Sequence, residues 1–304
     1  GLKRALFFWA VNLANEFDPE KERGAFYRFK MSIADKLIFS KWREALGGRI
    51  EFIVSGAAAL QPRLQKIFWA AGIHVVQGYG QTETSPGVAL GRPSNENFKV
   101  GCIGELMKDN QVKIADDGEI LVKGPNVMMG YYKQPAITKE TIDEEGWLHT
   151  GDIGEMVEGK YLKITDRKKE MFKTSGGKYI APQELENVLK ESIFIEHVMI
   201  VGEGQKFPAA LIIPNFEAVR EWCKLHSIDY TTDYDAAKNQ EVISKVHREI
   251  ERLNENLAQY KKVKKFHLLG APWTVESGEL TPTLKLKRKN IKGNSLEIIE
   301  GFYA

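Results

Sequence analysis

Apolar side chains recur at three- to four-residue intervals over residues 2–17 and again over 25–46, where Phe26, Phe29, Ile33, Leu37, Ile38 and Trp42 mark one face. That period predicts two amphipathic helices. Gly47-Gly48 supplies a stop for the second. The pattern then shortens. Arg49 to Val54 reads as a strand, followed by the small-residue loop Ser55-Gly56-Ala57-Ala58-Ala59. Pro62 suits the first turn of a helix that Gly72 closes, and Ile73-His74-Val75-Val76 reads as a second strand. Strand, loop, helix, strand predicts a βαβ unit with parallel pairing. Ligands of such sheets sit beyond the carboxyl ends of the strands, where loops 56–59 and 78–84 fall.

From residue 100 short β-like runs (104–107, 112–115, 119–123) alternate with turns such as Asp116-Asp117-Gly118, and a hairpin is expected around Glu158-Gly159-Lys160. This predicts a small antiparallel sheet or barrel. A helix over 183–191, strands over 197–201 and 209–213, and helices near 216–226 and 235–259 complete the chain. The fold class is α/β. Residues 1–166 are expected to be the C-terminal part of a large domain, a βαβ sheet plus a small β-barrel-like region. Residues 167–304 are expected to be a compact α+β domain.

Composition narrows the function classes. Hydrophobic content of 43% and charged content of 28% are globular values. A net charge of +2, from 43 basic and 41 acidic residues, gives no reason to expect a nucleic-acid partner. Two lysine-rich runs, 261–265 and 285–289, read as solvated faces or as attraction for an anionic ligand. Cys102 and Cys223 lack metal-ligand spacing and fit a reducing, cytoplasmic setting. No stretch approaches the ~20 apolar residues of a membrane span.

Several short motifs carry chemistry. In Gly78-Tyr79-Gly80-Gln81-Thr82-Glu83 the glycines permit close backbone approach, Tyr79 offers a ring face, Thr82 a hydroxyl for a phosphate, and Glu83 a hard oxygen for Mg²⁺. Taken alone, it is a Gly/Thr-rich turn. Gly56, Ala57 and Ala58 would let a flat ring lie on the backbone, or simply pack. Asp152 after Gly151 is a turn acid or an acceptor for ribose hydroxyls. Trp147 and His149 read as core or edge residues. Asp166 to Glu170 reads as a charged turn, and Ser175-Gly176-Gly177 as a flexible loop.

In this order the motifs resemble those of the adenylate-forming, AMP-binding superfamily. Gly78 to Glu83 is similar to its aromatic–Thr–Glu motif, and Gly146-Trp147-Leu148-His149-Thr150-Gly151-Asp152 to its ribose-binding motif. Asp166-Arg167 through Ser175-Gly176-Gly177 to Glu184-Leu185-Glu186 is similar to its hinge motif, and Thr281-x-Thr-x-Lys285-x-x-Arg288 to its C-terminal lysine motif. Within the superfamily the chain looks most like the C-terminal portion of a bacterial long-chain fatty-acid–CoA ligase. Residues 34–41, 44–49, 130–133 and 280–288 carry that likeness.

The resemblance implies activation of a fatty acid by ATP to acyl-AMP, then transfer to CoA. It assigns Ala57, Ala58 and Tyr79 to adenine, counts Gly56 and Gly78 among the cofactor-binding residues, and gives Thr82 to the α-phosphate and Glu83 to Mg²⁺. It gives the ribose to Asp152 with Arg167, and the adenylation charge to Lys285. Lys169 takes the hinge position, about which the C-terminal domain would rotate. Ser175, Gly176 and Gly177 would flank the pantetheine arm. The family's Ser/Thr/Gly-rich phosphate loop is not found in this chain. The chain is therefore expected to begin inside a larger domain and to be inactive alone. A non-catalytic nucleotide- or CoA-binding module, and acyl transfer to a carrier protein, are the alternatives. The apolar helix 2–17 is expected to pack on the rest of the large domain. Peripheral membrane contact and a homodimer are the other uses for it.

Overall fold

The computed structural model describes residues 2–57, 60–94 and 98–304. They form two compact units, Gly1–Thr165 and Asp166–Ala304.

The first unit opens with helix α1 (Leu2–Asn15), then α2 (Ala25–Ala34), a π-helical segment (Asp35–Phe39) and α3 (Ser40–Ala45). The expected single helix over 25–46 thus contains a widened turn. It puts Asp35 opposite Arg43, whose guanidinium donates to both carboxylate oxygens at 2.7 and 3.1 Å. Gly47 and Gly48 end the run with φ of 87° and 69°. Strand β1 (Ile53–Ser55), helix α4 (Pro62–Ala70) and strand β2 (Val75–Tyr79) form the expected βαβ unit. The two strands pair in parallel, Ile53 with Val75 through Ser55 with Gln77. β1 is shorter than the expected 49–54, and β2 runs three residues further than 73–76, carrying Gly78 and Tyr79 within the strand. Strands β3 (Ala89–Leu90) and β4 (Glu105–Leu106) continue this sheet in the order β1-β2-β3-β4. Ala10, Leu13, Ala34, Phe39, Ile67 and Ile73 pack as its helical core.

A second sheet holds β5 (Gln111–Ile114), β6 (Glu119–Lys123), β7 (Leu148–Val157) and β8 (Tyr161–Arg167) in that order. Its core is Ile120, Val122 and Leu162 with Val88 and Ala89. Between β6 and β7 a short helix, α5 (Pro135–Thr141), intervenes.

The second unit contains the small hairpin β9 (Phe172–Lys173) and β10 (Tyr179–Ile180), then helix α6 (Pro182–Leu189). Strands β11 (Ile195–Val201) and β12 (Ala209–Pro214) are antiparallel; β13 (Lys265–Leu268) joins β12 in parallel. β13 begins inside the 261–265 lysine run, so that run is not simply a solvated face. Leu185, Leu189, Val198, Leu211, Ile212, Val246 and Ile291 are buried in one core. Helices α7 (Phe216–His226), α8 (Asp233–Lys238), α9 (Gln240–Asn254), α10 (Arg288–Asn294) and α11 (Leu296–Gly301) surround it. The helix expected over 235–259 is two helices. Asn239 adopts φ −69°, ψ 126°, ending α8, and its side-chain oxygen accepts from Glu241 N and Val242 N at the start of α9.

Among the described residues no helix is long and apolar enough to cross a membrane. Replacing a capping Asn by Ala costs about 1 kcal/mol. Asn239→Ala should lower unfolding stability by that amount in urea titrations, whereas an unchanged midpoint would contradict the cap.

Candidate nucleotide-binding site

The site in the first unit is built where the end of β2 meets the middle of β7, two segments far apart in sequence. Tyr79 closes β2. Its hydroxyl donates to Asp152 Oδ2 at 2.8 Å. Gln81 follows, and its amide nitrogen donates to the same oxygen at 2.7 Å and to Thr150 O at 2.9 Å. Asp152 is only 3% exposed. A buried carboxylate needs such donors, since burial of an unpaired charge is costly.

The backbone of β7 delivers Asp152 by a bulge. Leu121 pairs with His149 and Glu119 with Ile153, so β6 advances from 121 to 119 while β7 advances from 149 to 153. Gly151 takes φ 68° there, and its N–H donates to the buried Glu119 at 2.9 Å. Thr150 donates its hydroxyl to Ile120 O and accepts from Asp152 N. His149 Nδ1 lies 3.3 Å from Glu119 Oε2, so His149 is a neighbour of this frame rather than a core residue.

The segment after β2 is a tight turn. Thr82–Thr84 is a single 3-10 turn, and Thr84 Oγ1 accepts from Gln81 N at 2.8 Å. Gly80 must be glycine, because a Cβ there would lie 1.3 Å from Pro86 O. At Gly78 a Cβ would meet Leu90 and Val54 at 3.4 Å, an ordinary contact. Thr82 is exposed. Glu83 is half-buried, and the Tyr131 hydroxyl donates to its Oε1 at 2.8 Å. That bond to Glu83 pushes the Tyr131 phenol above its ordinary pKa.

Gly56 follows β1, with Gly78 O the nearest atom to a Cβ built on it, at 3.7 Å. Ala57 adopts φ 65°, a left-handed conformation uncommon for a residue other than glycine. Ala58 lies outside the described residues. The far end of this loop is pinned by Gln77, whose side chain accepts from Leu60 N at 3.0 Å. Tyr79 and Asp152 meet as the motif reading requires; Gln81, Glu119 and Tyr131 are partners to which sequence reasoning gave no role. Gln81 and Tyr131 fall inside quoted motifs, which was the available signal for them; Glu119 falls in none.

The second unit carries the other predicted residues. Arg167 ends β8 and is exposed; Lys169 lies in the exposed turn after it, closed by Glu170 N donating to Arg167 O at 2.9 Å. Asp166, wholly buried, accepts from Arg167 N at 2.6 Å and from Gln183 N in the first turn of α6 at 2.8 Å. Burial outweighs those donors and pushes its carboxyl up to about 6. Ser175, Gly176 and Gly177 form the exposed tip between β9 and β10, with Ser175 N donating to Gln205 O. Lys285 is exposed on a turn closed by Thr281 N to Lys285 O at 2.8 Å and Lys285 N to Thr281 Oγ1 at 3.0 Å. Its base is Arg288, which donates to both oxygens of Glu186 at 2.7 Å and to Glu170 at 2.8 Å. Burial pushes Glu186 up against the pull of Arg288. Burial works to lower the Arg288 guanidinium; the charges of Glu186 and Glu170 outweigh it and hold the group protonated.

Residues 13–132 match the family profile described as AMP-binding enzyme, and residues 170–304 match AMP-binding enzyme C-terminal domain. The chain belongs to the adenylate-forming, AMP-binding superfamily. Among curated relatives, it is 35% identical to "Long-chain-fatty-acid--CoA ligase FadD15" of Mycobacterium bovis over 99% of this chain and 50% of that protein. It is 34% identical to human "Long-chain-fatty-acid--CoA ligase 1" over 97% of this chain and 44% of that protein. The chain thus spans about half the length of the curated relatives it matches. Its fold is that of an adenylate-forming enzyme. The adenylation domain of the carboxylate reductase from Mycobacterium chelonae superposes with a TM-score of 0.71 at 22% identity, over 99% of this chain and 45% of that one. O-Succinylbenzoate CoA synthetase from Bacillus subtilis, solved with ATP and magnesium, gives 0.60 at 24% identity, over 83% and 50%.

Asp166 gives this superfamily member a pH signature. Its folded pKa near 6 exceeds the ordinary 3.8, so its contribution is present below about pH 3.8 and lost as pH rises through 6. Two pH units correspond to about 3 kcal/mol. The stability difference between wild type and Asp166→Asn should shrink by roughly that much between pH 4 and pH 7 in urea melts. A pH-independent difference would show that Asp166 does not titrate there.

Proposed function

We propose that this chain is the nucleotide-gripping and lysine-bearing portion of a long-chain fatty-acid–CoA ligase. The observation that carries the reading is the convergence of Tyr79 and Gln81 on the buried Asp152, immediately before Thr82 and Glu83. A carboxylate held by neutral donors suits hydrogen bonds from ribose hydroxyls. Tyr79 and the loop at Gly56, Ala57 and Ala58 are assigned to adenine, and Thr82 to the α-phosphate. The relatives' printed names support the fatty-acid substrate and the CoA acceptor.

Glu83 fits a magnesium ion. Its carboxylate offers a hard oxygen, one oxygen accepting from Tyr131, and it follows the exposed Thr82 in the same turn. Magnesium keeps most of its waters and shares phosphates with one or two carboxylates, so a sparse protein site is what it needs. The bound ion would neutralise phosphate charge.

In the first half-reaction a fatty-acid carboxylate oxygen attacks the α-phosphorus, forming the acyl phosphate bond as the bond to pyrophosphate breaks. Lys285 is assigned the stabilisation of negative charge on the transferring group. In the second, the CoA sulfur attacks the acyl carbonyl and AMP leaves. Ser175, Gly176 and Gly177 are small enough to admit a narrow thiol-bearing arm, Lys169 is the proposed pivot between the two steps, and Arg167 is assigned to the ribose. The domain assignment follows: residues 1–166 belong to the large AMP-binding domain, and 167–304 to the domain carrying the catalytic lysine.

The two half-reactions can be read separately in the full-length ligase with palmitate, ATP and CoA. Lys285→Ala should cut palmitate-dependent pyrophosphate release about 10²- to 10³-fold. Lys169→Pro should reduce thioester formation more than pyrophosphate release. Unchanged pyrophosphate release in the first variant, or equal losses in the second, would remove those residues from their roles.

A further inference from the structure

The strand β6 leaves the sheet into a segment, residues 124–134, that wraps the turn bearing Glu83. Asn126 donates its side-chain amide to Thr84 O at 3.0 Å and to Gly87 O at 2.7 Å. Met128 N donates to Glu83 O at 2.8 Å. Tyr131 completes the wrap with its hydroxyl on Glu83 Oε1 at 2.8 Å. Both the backbone and the carboxylate of Glu83 are therefore held from one loop.

The loop is itself braced. Tyr131 N donates to Thr138 Oγ1 at 2.9 Å at the start of α5, and Thr138 in turn donates to Gln134 O. Gly130 adopts φ 144°, and a Cβ there would lie 2.7 Å from the Thr138 methyl, so this approach requires glycine. The Tyr131 side chain is fixed from both sides, by its own backbone and by its hydroxyl.

We infer that Tyr131 is a positioning residue for the cation-binding carboxylate. It engages one oxygen of Glu83 and so turns the other, Oε2, toward the cation that accompanies a nucleoside triphosphate. Oε2 has no hydrogen-bond partner among the described residues. A donor on one carboxylate oxygen also fixes the rotamer, so a cation need not order the side chain on binding. Outer partners of metal-binding side chains commonly contribute 10- to 100-fold in metal affinity. This inference rests on the assignment of Glu83 to Mg²⁺ made above.

The prediction separates a cation role from a structural one. AMP without divalent cation engages Tyr79 and Asp152 but asks nothing of Oε2, whereas Mg²⁺-ATP asks for it. Tyr131→Phe removes only the hydroxyl. Calorimetric titration of the chain should show AMP affinity in EDTA unchanged within about twofold. Mg²⁺-ATP affinity should be reduced about tenfold or more. With Mn²⁺ replacing Mg²⁺, electron paramagnetic resonance should show correspondingly less bound cation in the presence of ATP. In a Glu83→Gln background, Tyr131→Phe should have no further effect on Mg²⁺-ATP. Equal weakening of AMP and Mg²⁺-ATP by Tyr131→Phe would overturn the inference and mark the tyrosine as structural. Additive losses in the Glu83→Gln background would overturn it as well. Wild-type binding of AMP with no gain from cation would overturn it while leaving the ribose assignment standing. Binding of neither nucleotide would defeat the site reading and the inference together.

Discussion

The site depends on one buried carboxylate. Asp152 cannot sit in the first unit without donors, and two come from Tyr79 at the end of β2 and from Gln81 in the turn that follows it. That requirement links the βαβ sheet to the antiparallel sheet. It explains why β7 bulges at Gly151 and why Glu119 is buried beneath it to receive the Gly151 N–H. Net stabilisation by hydrogen bonds to a charged group is typically about 1.5–3 kcal/mol each. The same contacts fix the direction in which the carboxylate faces. The rigid frame thus comes from stability, and the ligand-gripping group comes with it.

The second unit follows a similar rule around a cation. Arg288 takes both oxygens of Glu186 and one of Glu170, while Glu186 also accepts Ile200 N at 2.8 Å. Removing one partner of a buried pair usually costs about 3–5 kcal/mol, because the other charge is stranded. The turn that exposes Lys285 starts at the buried Leu280 and ends at this anchor. Glu170 is the neighbour of Lys169, so the anchor also holds the segment next to the proposed pivot. The exposed Lys285 therefore stands on a base that has little freedom.

The parts legible in the sequence were those set locally. Pro62 and Gly72 bound α4, the Val75 run pairs in parallel with β1, and Glu158-Gly159 turns β7 into β8 with both residues at positive φ. Motif order assigned Tyr79, Thr82, Glu83 and Asp152 to one nucleotide, without saying which of them touch. What was not legible required long-range pairing. The Tyr79–Asp152 bond spans 73 residues and the Tyr131–Glu83 bond 48, and no local pattern reports such contacts. In the 261–265 run Lys264 and Lys265 are exposed as a solvated face requires, but Val263 between the lysines is buried and Lys265 pairs with Ala209, which the charge pattern does not report. The break at Asn239 was hidden because residues on both sides keep a helical apolar period.

The most direct test of the central constraint is AMP binding by this chain with Asp152 changed to Asn. The shape is kept, but the charge that organises Tyr79 and Gln81 and receives the ribose hydroxyls is lost. Losing about 1.5–3 kcal/mol of charged hydrogen bonding predicts that the dissociation constant rises at least tenfold, with the fold intact by circular dichroism. An unchanged dissociation constant in a folded variant would contradict the assignment of Asp152 and, with it, the site built around it.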